Sequence, residues 1–296
     1  MSHRYKLSLL AVAAGLALAV PLAVTAGPAQ PAAAASVTTA WQNGSFSLNR
    51  AGVVAESDIV LGAANTASSQ SMPLGNGSLG VAAWAANGFT AQLNRSDTMP
   101  YRLSPGQVNI PGLSAMTSAS NFSGTLDLYN GVLDEAGGGM TMQAWVPAGK
   151  DELVINVTGA NPSTQQTATL SLWSGRSPAT AASGAIGSLA QTWVDNSQTG
   201  NSGQTFGAMA AITAGGQNVS ASVVNSTQVK VTFTPNSDGS FRVIVAAPKW
   251  TGGTPSSTAS SLIGSDTTAT TSSLLATQSS WWNSYWANSG LIQASS

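Results

Sequence analysis

Short runs of alternating apolar and polar residues cover most of the chain, punctuated by Gly, Asn, Ser and Asp. Residues 79–84 (LGVAAW) and 89–93 (FTAQL) flank Ala86-Asn87-Gly88. Asn-Gly between two such runs predicts a hairpin, because both residues tolerate positive φ. Residues 140–146 (MTMQAWV) lead through a polar loop at 147–151 into 153–157 (LVINV). The run 167–173 (TATLSLW) is expected to pair with 153–157 across the loop 159–166. Runs at 206–212, 219–224, 228–233 and 240–246 continue the pattern, and the last two are expected to close around 235–239 (PNSDG). Many short strands with polar turns predict an all-β fold, a sandwich of two large antiparallel sheets.

The texture changes at Trp250. Residues 251–261 (TGGTPSSTASS) read as a loop or linker. Beyond them Leu274, Leu275, Gln278, Trp281, Trp282, Tyr285 and Trp286 recur at helical spacing and share one face. Ser265-Asp266 is the expected cap of this helix, and Gly290 its expected stop. Three Trp and a Tyr bury about 150–250 Å² each when packed. At ~25 cal/mol per Å² that is on the order of 15–25 kcal/mol of gross driving force, an upper bound. Such a face must dock, either back on the sandwich or against a following domain.

The amino terminus follows a different pattern. Arg4 and Lys6 precede an apolar run at 7–20, and small residues lead to Ala33-Ala34-Ala35. Residues 1–35 therefore read as a secretory signal, and the chain is expected to be secreted, with no membrane contact after cleavage. That leaves a sandwich domain over 36–250 and a linker with the Trp-rich helix over 251–296.

Composition narrows the chemistry. The 296 residues include no Cys and one His, and that His is His3, within the signal. A His-dependent Ser relay and a His-ligated zinc site are excluded from the mature chain, as are thiol chemistry and disulfides. Charged residues make up 7%, and the net charge is −1. There is no electrostatic footprint for nucleic acid, and no calcium-loop motif is present. No metal and no cofactor are expected.

Two motifs resemble a known family. Met72-Pro73-Leu74-Gly75-Asn76-Gly77-Ser78-Leu79-Gly80 is similar to the PLGNGxLG signature of glycoside hydrolase family 95, and Gln92-Leu93-Asn94-Arg95-Ser96-Asp97-Thr98-Met99 resembles its QLNEDTLW segment. Trp173-Ser174-Gly175-Arg176 and the Trp281-Trp282-x-x-Tyr285-Trp286 helix are similar to further features of such proteins. Arg95 and Ser96 stand where the family has acidic residues. The resemblance implies a β-supersandwich with a C-terminal linker helix, followed in the family by an (α/α)6 barrel that carries catalysis. It implies a non-catalytic N-terminal domain that braces and shapes the barrel's sugar cleft. Its partners would be a glycan and the barrel, with Trp281, Trp282, Tyr285 and Trp286 as the docking residues.

No catalytic residue carries over. Asn76, Asn94, Arg95 and Asp97 are the candidate saccharide-binding residues. The competing readings are a tight type I′ turn at Gly75-Asn76-Gly77 and a local ion-pair cluster of Arg95 and Asp97 with Arg102. Asp134-Glu135 and Asp151-Glu152 read as turn residues. Trp84, Trp145 and Trp173 are expected in the core, whereas Trp41, Trp193 and Trp250 are candidate exposed platforms. An independent carbohydrate-binding or cell-surface adhesion module is a second reading. A small hydrolase using Asp97 and a second carboxylate is a third.

Overall fold

The structure, a computed structural model, describes residues 41–42, 45–46, 48–98, 103–196, 203–252, 255–263 and 266–290. The signal expected over 1–35, Arg102, Ser265 and the Trp41 side chain lie outside them. Two short strands, β1 (Trp41–Gln42) and β2 (Ser45–Phe46), pair as a hairpin of their own.

From Leu48 the chain forms α1 (Arg50–Ala55), β3 (Ile59–Leu61), β4 (Met72–Gly75), β5 (Leu79–Trp84), β6 (Phe89–Arg95), β7 (Gly106–Ile110), α2 (Ser114–Thr117) and β8 (Ser123–Asp127). There follow β9 (Val132–Gly137), β10 (Met140–Trp145), β11 (Glu152–Thr158), β12 (Gln166–Ser171), β13 (Ala179–Ser183) and β14 (Ile186–Val194). The strands end with β15 (Thr205–Gly215), β16 (Gln217–Asn225), β17 (Gln228–Thr234) and β18 (Phe241–Ala246), before α3 (Pro255–Leu262) and α4 (Thr271–Ala287). Among the described residues these strands make two antiparallel sheets. The larger has nine strands, in the order β13-β14-β15-β18-β11-β10-β9-β8-β3; the smaller has seven, in the order β16-β17-β12-β7-β6-β5-β4. The fold is an all-β sandwich with a C-terminal helix.

The period-2 pattern accounts for the core between the sheets. Leu79, Val81 and Ala83 of β5 point inward, as do Ala168 and Leu170 of β12 and Val229, Val231 and Phe233 of β17. The β5–β6 hairpin forms as its turn sequence predicts, with Asn87 at φ 49° and Gly88 at φ 84°. Strands β11 and β18 are buried on nearly every residue, because the outer face of the large sheet is also covered there. Ala259 of α3 and Ile263 pack on Ala190, Met209, Ala211 and Ala246. Leu274 and Leu275 of α4 pack on Val132, Trp145 and Val154.

The structure corrects several expectations. Strand β12 does not pair with β11. It lies in the other sheet, between β17 and β7, and β11 is flanked by β10 and β18. Alternation shows that one face of a strand is buried, but not against which sheet. For the same reason β17 and β18 are not a hairpin. The turn at 235–239 carries the chain from one sheet to the other, and Phe233 and Phe241 pack across the core with ring centroids 5.1 Å apart. Part of the expected linker is α3. The cap of α4 is Thr270, whose hydroxyl accepts from the Ser273 amide at 3.2 Å, and the helix closes at Asn288 rather than Gly290. Asp266 is buried instead and pairs with the Lys150 ammonium at 2.5 Å. Asp134 and Glu135 belong to β9, not to a turn. Trp145 is in the interior, but Trp84 is half-buried and Trp173 is 49% exposed.

Helix α4 is seated by specific contacts. The Gln278 amide donates to the Gly131 carbonyl at 3.0 Å, and the Trp286 indole N–H donates to the Leu128 carbonyl at 2.9 Å. Gly131 has φ 66°, and any β-carbon there would overlap the Trp282 ring. Gly131→Ala is therefore expected to destabilise the domain by about 2–4 kcal/mol, from backbone strain together with overpacking. It should also alter the near-UV circular dichroism of the Trp cluster. A variant with an unchanged spectrum and melting curve would contradict this seating.

Candidate functional site

One end of the sandwich gathers the charged and aromatic residues singled out by sequence. Strand β6 ends there at Arg95, β12 ends at Ser171, β14 ends at Val194, and β15 begins at Thr205. The β10–β11 loop and the segment after β18 lie at the same end, because Arg95 reaches both. Its side chain is 2% exposed. Nε and Nη2 donate to the two Asp97 carboxylate oxygens at 2.9 and 3.0 Å, and Nη1 donates to Asp151 at 2.7 Å and to the Ala247 carbonyl at 2.6 Å. A guanidinium with five donors suits this fork-shaped demand. Arg95 thus ties the small sheet to two segments of the large one.

Asn76 acts in the same way from the β4–β5 turn. Its carbonyl oxygen accepts from the Ser78 and Leu79 amides at 3.0 and 2.9 Å. Its NH2 donates to the Pro147 and Lys150 carbonyls and to Asp151, at 3.0–3.3 Å. The turn is not type I′, since only Gly77 of the loop has positive φ. Asn94 is not brought to this cluster. It alternates with Arg95 along β6, so it faces outward, and its side-chain oxygen accepts from the Arg95 amide.

Asp97 has capacity to spare. Its side chain is 30% exposed, and Lys249 Nζ lies 3.8 Å away. The hydrogen bond from Arg95 holds its carboxyl below the ordinary carboxylate range, and Lys249 adds to the effect. Asp97 is thus a fixed anion and hydrogen-bond acceptor, unsuited to shuttling protons near neutrality.

Beside Asp97 opens a cleft of about 450 Å³ lined by Asp97, Thr205, Phe206, Gly207, Lys249 and Trp250 among others. The half-buried Trp250 lies against β15 at Gly207, where a β-carbon would stand 2.7 Å from the ring. Phe206 stacks on Trp193, with centroids 6.2 Å apart and planes at 24°. At the same end the Arg176 guanidinium sits 5.7 Å over the exposed Trp173 ring and donates to Gln191 at 2.6 Å and to the Ser104 carbonyl at 3.1 Å. Sequence reasoning named Trp193 and Trp250 but missed Lys249. The available signal was a lysine beside a tryptophan in a chain with only ten Lys and Arg.

Two carboxyl groups are pushed up to about 7, and neither belongs to this cleft. Burial raises Glu135, which is 3% exposed. Burial and the nearby negative Asp266 raise Glu152, which is 1% exposed.

The tryptophan and tyrosine side chains of α4 form one cluster of ring contacts, with centroids 5.1–6.2 Å apart. Trp282 and Trp286 lie against the sandwich. Trp281 and Tyr285 are each 47% exposed and stack on each other, with centroids 5.8 Å apart and planes at 8°.

A family model described as a domain of unknown function (DUF5703) matches residues 62–230, over the sandwich. No curated protein matches the chain. Among solved structures, a putative kojibiose phosphorylase from human microbiome superposes with a TM-score of 0.50 at 12% identity, over 77% of this chain and 38% of that one. A bacterial glucoamylase complexed with acarbose gives 0.39 at 9% identity, over 77% and 40%. A family GH92 α-mannosidase from Bacteroides thetaiotaomicron gives 0.21 at 13%, over 66% and 25%. The chain thus spans well under half the length of these proteins. The likeness to the phosphorylase shows a shared fold.

Proposed function

The chain belongs to the DUF5703 N-terminal-domain family, and from that premise we propose that it is the non-catalytic N-terminal sandwich of a secreted glycoside hydrolase-like protein. In the whole protein it braces a following (α/α)6 barrel and helps to shape the barrel's sugar cleft. The motifs at 72–80 and 92–99 support this reading, as does a sandwich fold shared with a larger carbohydrate-active enzyme. The observation that carries it is α4. One side of the helix is held to the large sheet through Leu274, Leu275, Gln278 and Trp286, and the other presents a coplanar Trp281–Tyr285 pair. Rigid, exposed aromatics on a seated helix suit the centre of a docking interface.

The test is association with the region encoded after Ser296, expressed as a separate polypeptide. Trp281→Ala/Tyr285→Ala is expected to weaken that association at least tenfold, and to cost the domain itself about 1–3 kcal/mol through the lost ring contacts to Trp282 and Trp286. A reading frame that stops at Ser296, or unchanged association in the variant, sinks the proposal. Export is tested separately: mass spectrometry of protein from the medium is expected to find a new amino terminus at Ser36.

A further inference from the structure

We infer that the cleft at the rim of the sandwich is a binding site for a neutral saccharide, a role beyond bracing a barrel and independent of it. Three features carry the inference. First, the cleft's volume of about 450 Å³ lies within the ~300–1,000 Å³ of small-ligand sites. Second, its walls combine an apolar ring with polar groups of both kinds. Trp250 supplies a flat aromatic surface held against the Gly207 backbone. Asp97 is a fixed acceptor, Lys249 a donor and Thr205 a hydroxyl. A pyranose has the matching chemistry, with C–H groups on a ring face and hydroxyls around its edge that both donate and accept. Third, the charges balance. Arg95 and Lys249 stand against Asp97 and Asp151, joined in one ion-paired cluster. The cluster that lines and supports the cleft thus carries no net charge with which to select an anionic sugar, so the ligand class is neutral.

The site is built rather than incidental. Arg95 fixes the Asp97 carboxylate through two hydrogen bonds while remaining 2% exposed itself. The Gly207 position leaves the room that the Trp250 ring occupies. Topology collects the walls from the end of β6, the start of β15 and the segment after β18.

The experiment is calorimetric titration of the purified chain with cellohexaose, xylohexaose, mannohexaose and maltohexaose, and with trigalacturonate as the anionic comparison. At least one neutral oligosaccharide is expected to bind. Trp250→Ala should weaken it by about tenfold or more, and Trp250→Phe should retain most of the affinity. Lys249→Met alters a side chain that is 53% exposed, so it tests the donor without threatening the fold; a loss of about threefold or more is expected, the range of one modest hydrogen bond. Circular dichroism melts establish that each variant is folded. Binding of none of the four neutral sugars overturns the inference. So does binding unaffected by Lys249→Met and Trp250→Ala, or a preference for trigalacturonate. Trp281→Ala/Tyr285→Ala should leave saccharide binding unchanged, so failure here and failure of the barrel-docking proposal are read separately.

Discussion

Replacing Arg95 with methionine is expected to lower the melting temperature by roughly 10 °C. The substitution keeps the apolar stem but removes the charge that faces Asp97, Asp151 and the Ala247 carbonyl. Breaking a buried pair by removing one partner costs about 3–5 kcal/mol. Asp97 and Asp151 keep 30% and 24% exposure, so water softens their loss and the lower end applies. In a domain of this size each kcal/mol moves the midpoint by about 2–4 °C. Arg95→Lys should rescue little, because one ammonium cannot repeat a fork that reaches two carboxylates and a carbonyl. Adding Asp97→Asn to Arg95→Met should recover part of the loss, since it removes one of the stranded charges. Thermal melts of the three variants check this. A methionine variant within about 2 °C of the parent would show that the sheets do not depend on this tie.

The second large effect is a fall in stability from mildly acid to mildly alkaline pH. Glu135 and Glu152 are pushed up to about 7 from an ordinary 4.5. A raised carboxyl binds its proton more tightly in the folded state than in the unfolded one. Its contribution is therefore complete below about 4.5 and is lost as pH rises through about 7. At ~1.4 kcal/mol per pH unit, each group contributes on the order of 3 kcal/mol to the decline. Asp97 has the opposite sign: its contribution is present above the ordinary carboxylate range and fades only in strong acid. Urea unfolding at pH 5, 6.5 and 8 should show the decline in the parent chain. Glu135→Gln/Glu152→Gln should flatten it and be the more stable protein at pH 8. Parallel pH profiles for the parent and the double variant would exclude these two carboxyls as its source.

Local chemistry made part of this molecule readable from sequence. The Asn87-Gly88 turn specified its hairpin, since two adjacent residues able to take positive φ leave few alternatives. The Trp-rich stripe specified α4, and its one polar member, Gln278, is the residue that binds the Gly131 carbonyl. Helix α3 was hidden because residues 251–261 carry no apolar stripe; small Ala259 suffices against a sheet face made of alanines and Met209. The sheet to which a strand belongs was not readable, as β12 and β18 show, because alternation is the same in either. In the rim cluster Arg95 and Asp97 are two residues apart and visible together. Asp151 and Ala247 are 56 and 152 residues from Arg95, so only the folded topology unites them.

The position of β18 has a consequence for how the chain matures. It lies between β11 and β15 in the interior of the nine-stranded sheet, yet among the described residues it is the last strand in sequence. Until it arrives, those two strands present bare, apolar edges, and bare edges recruit other chains. A ribosome-bound or truncated product ending before Phe241 is thus an aggregation hazard, and this sheet needs protection most just before β18 emerges.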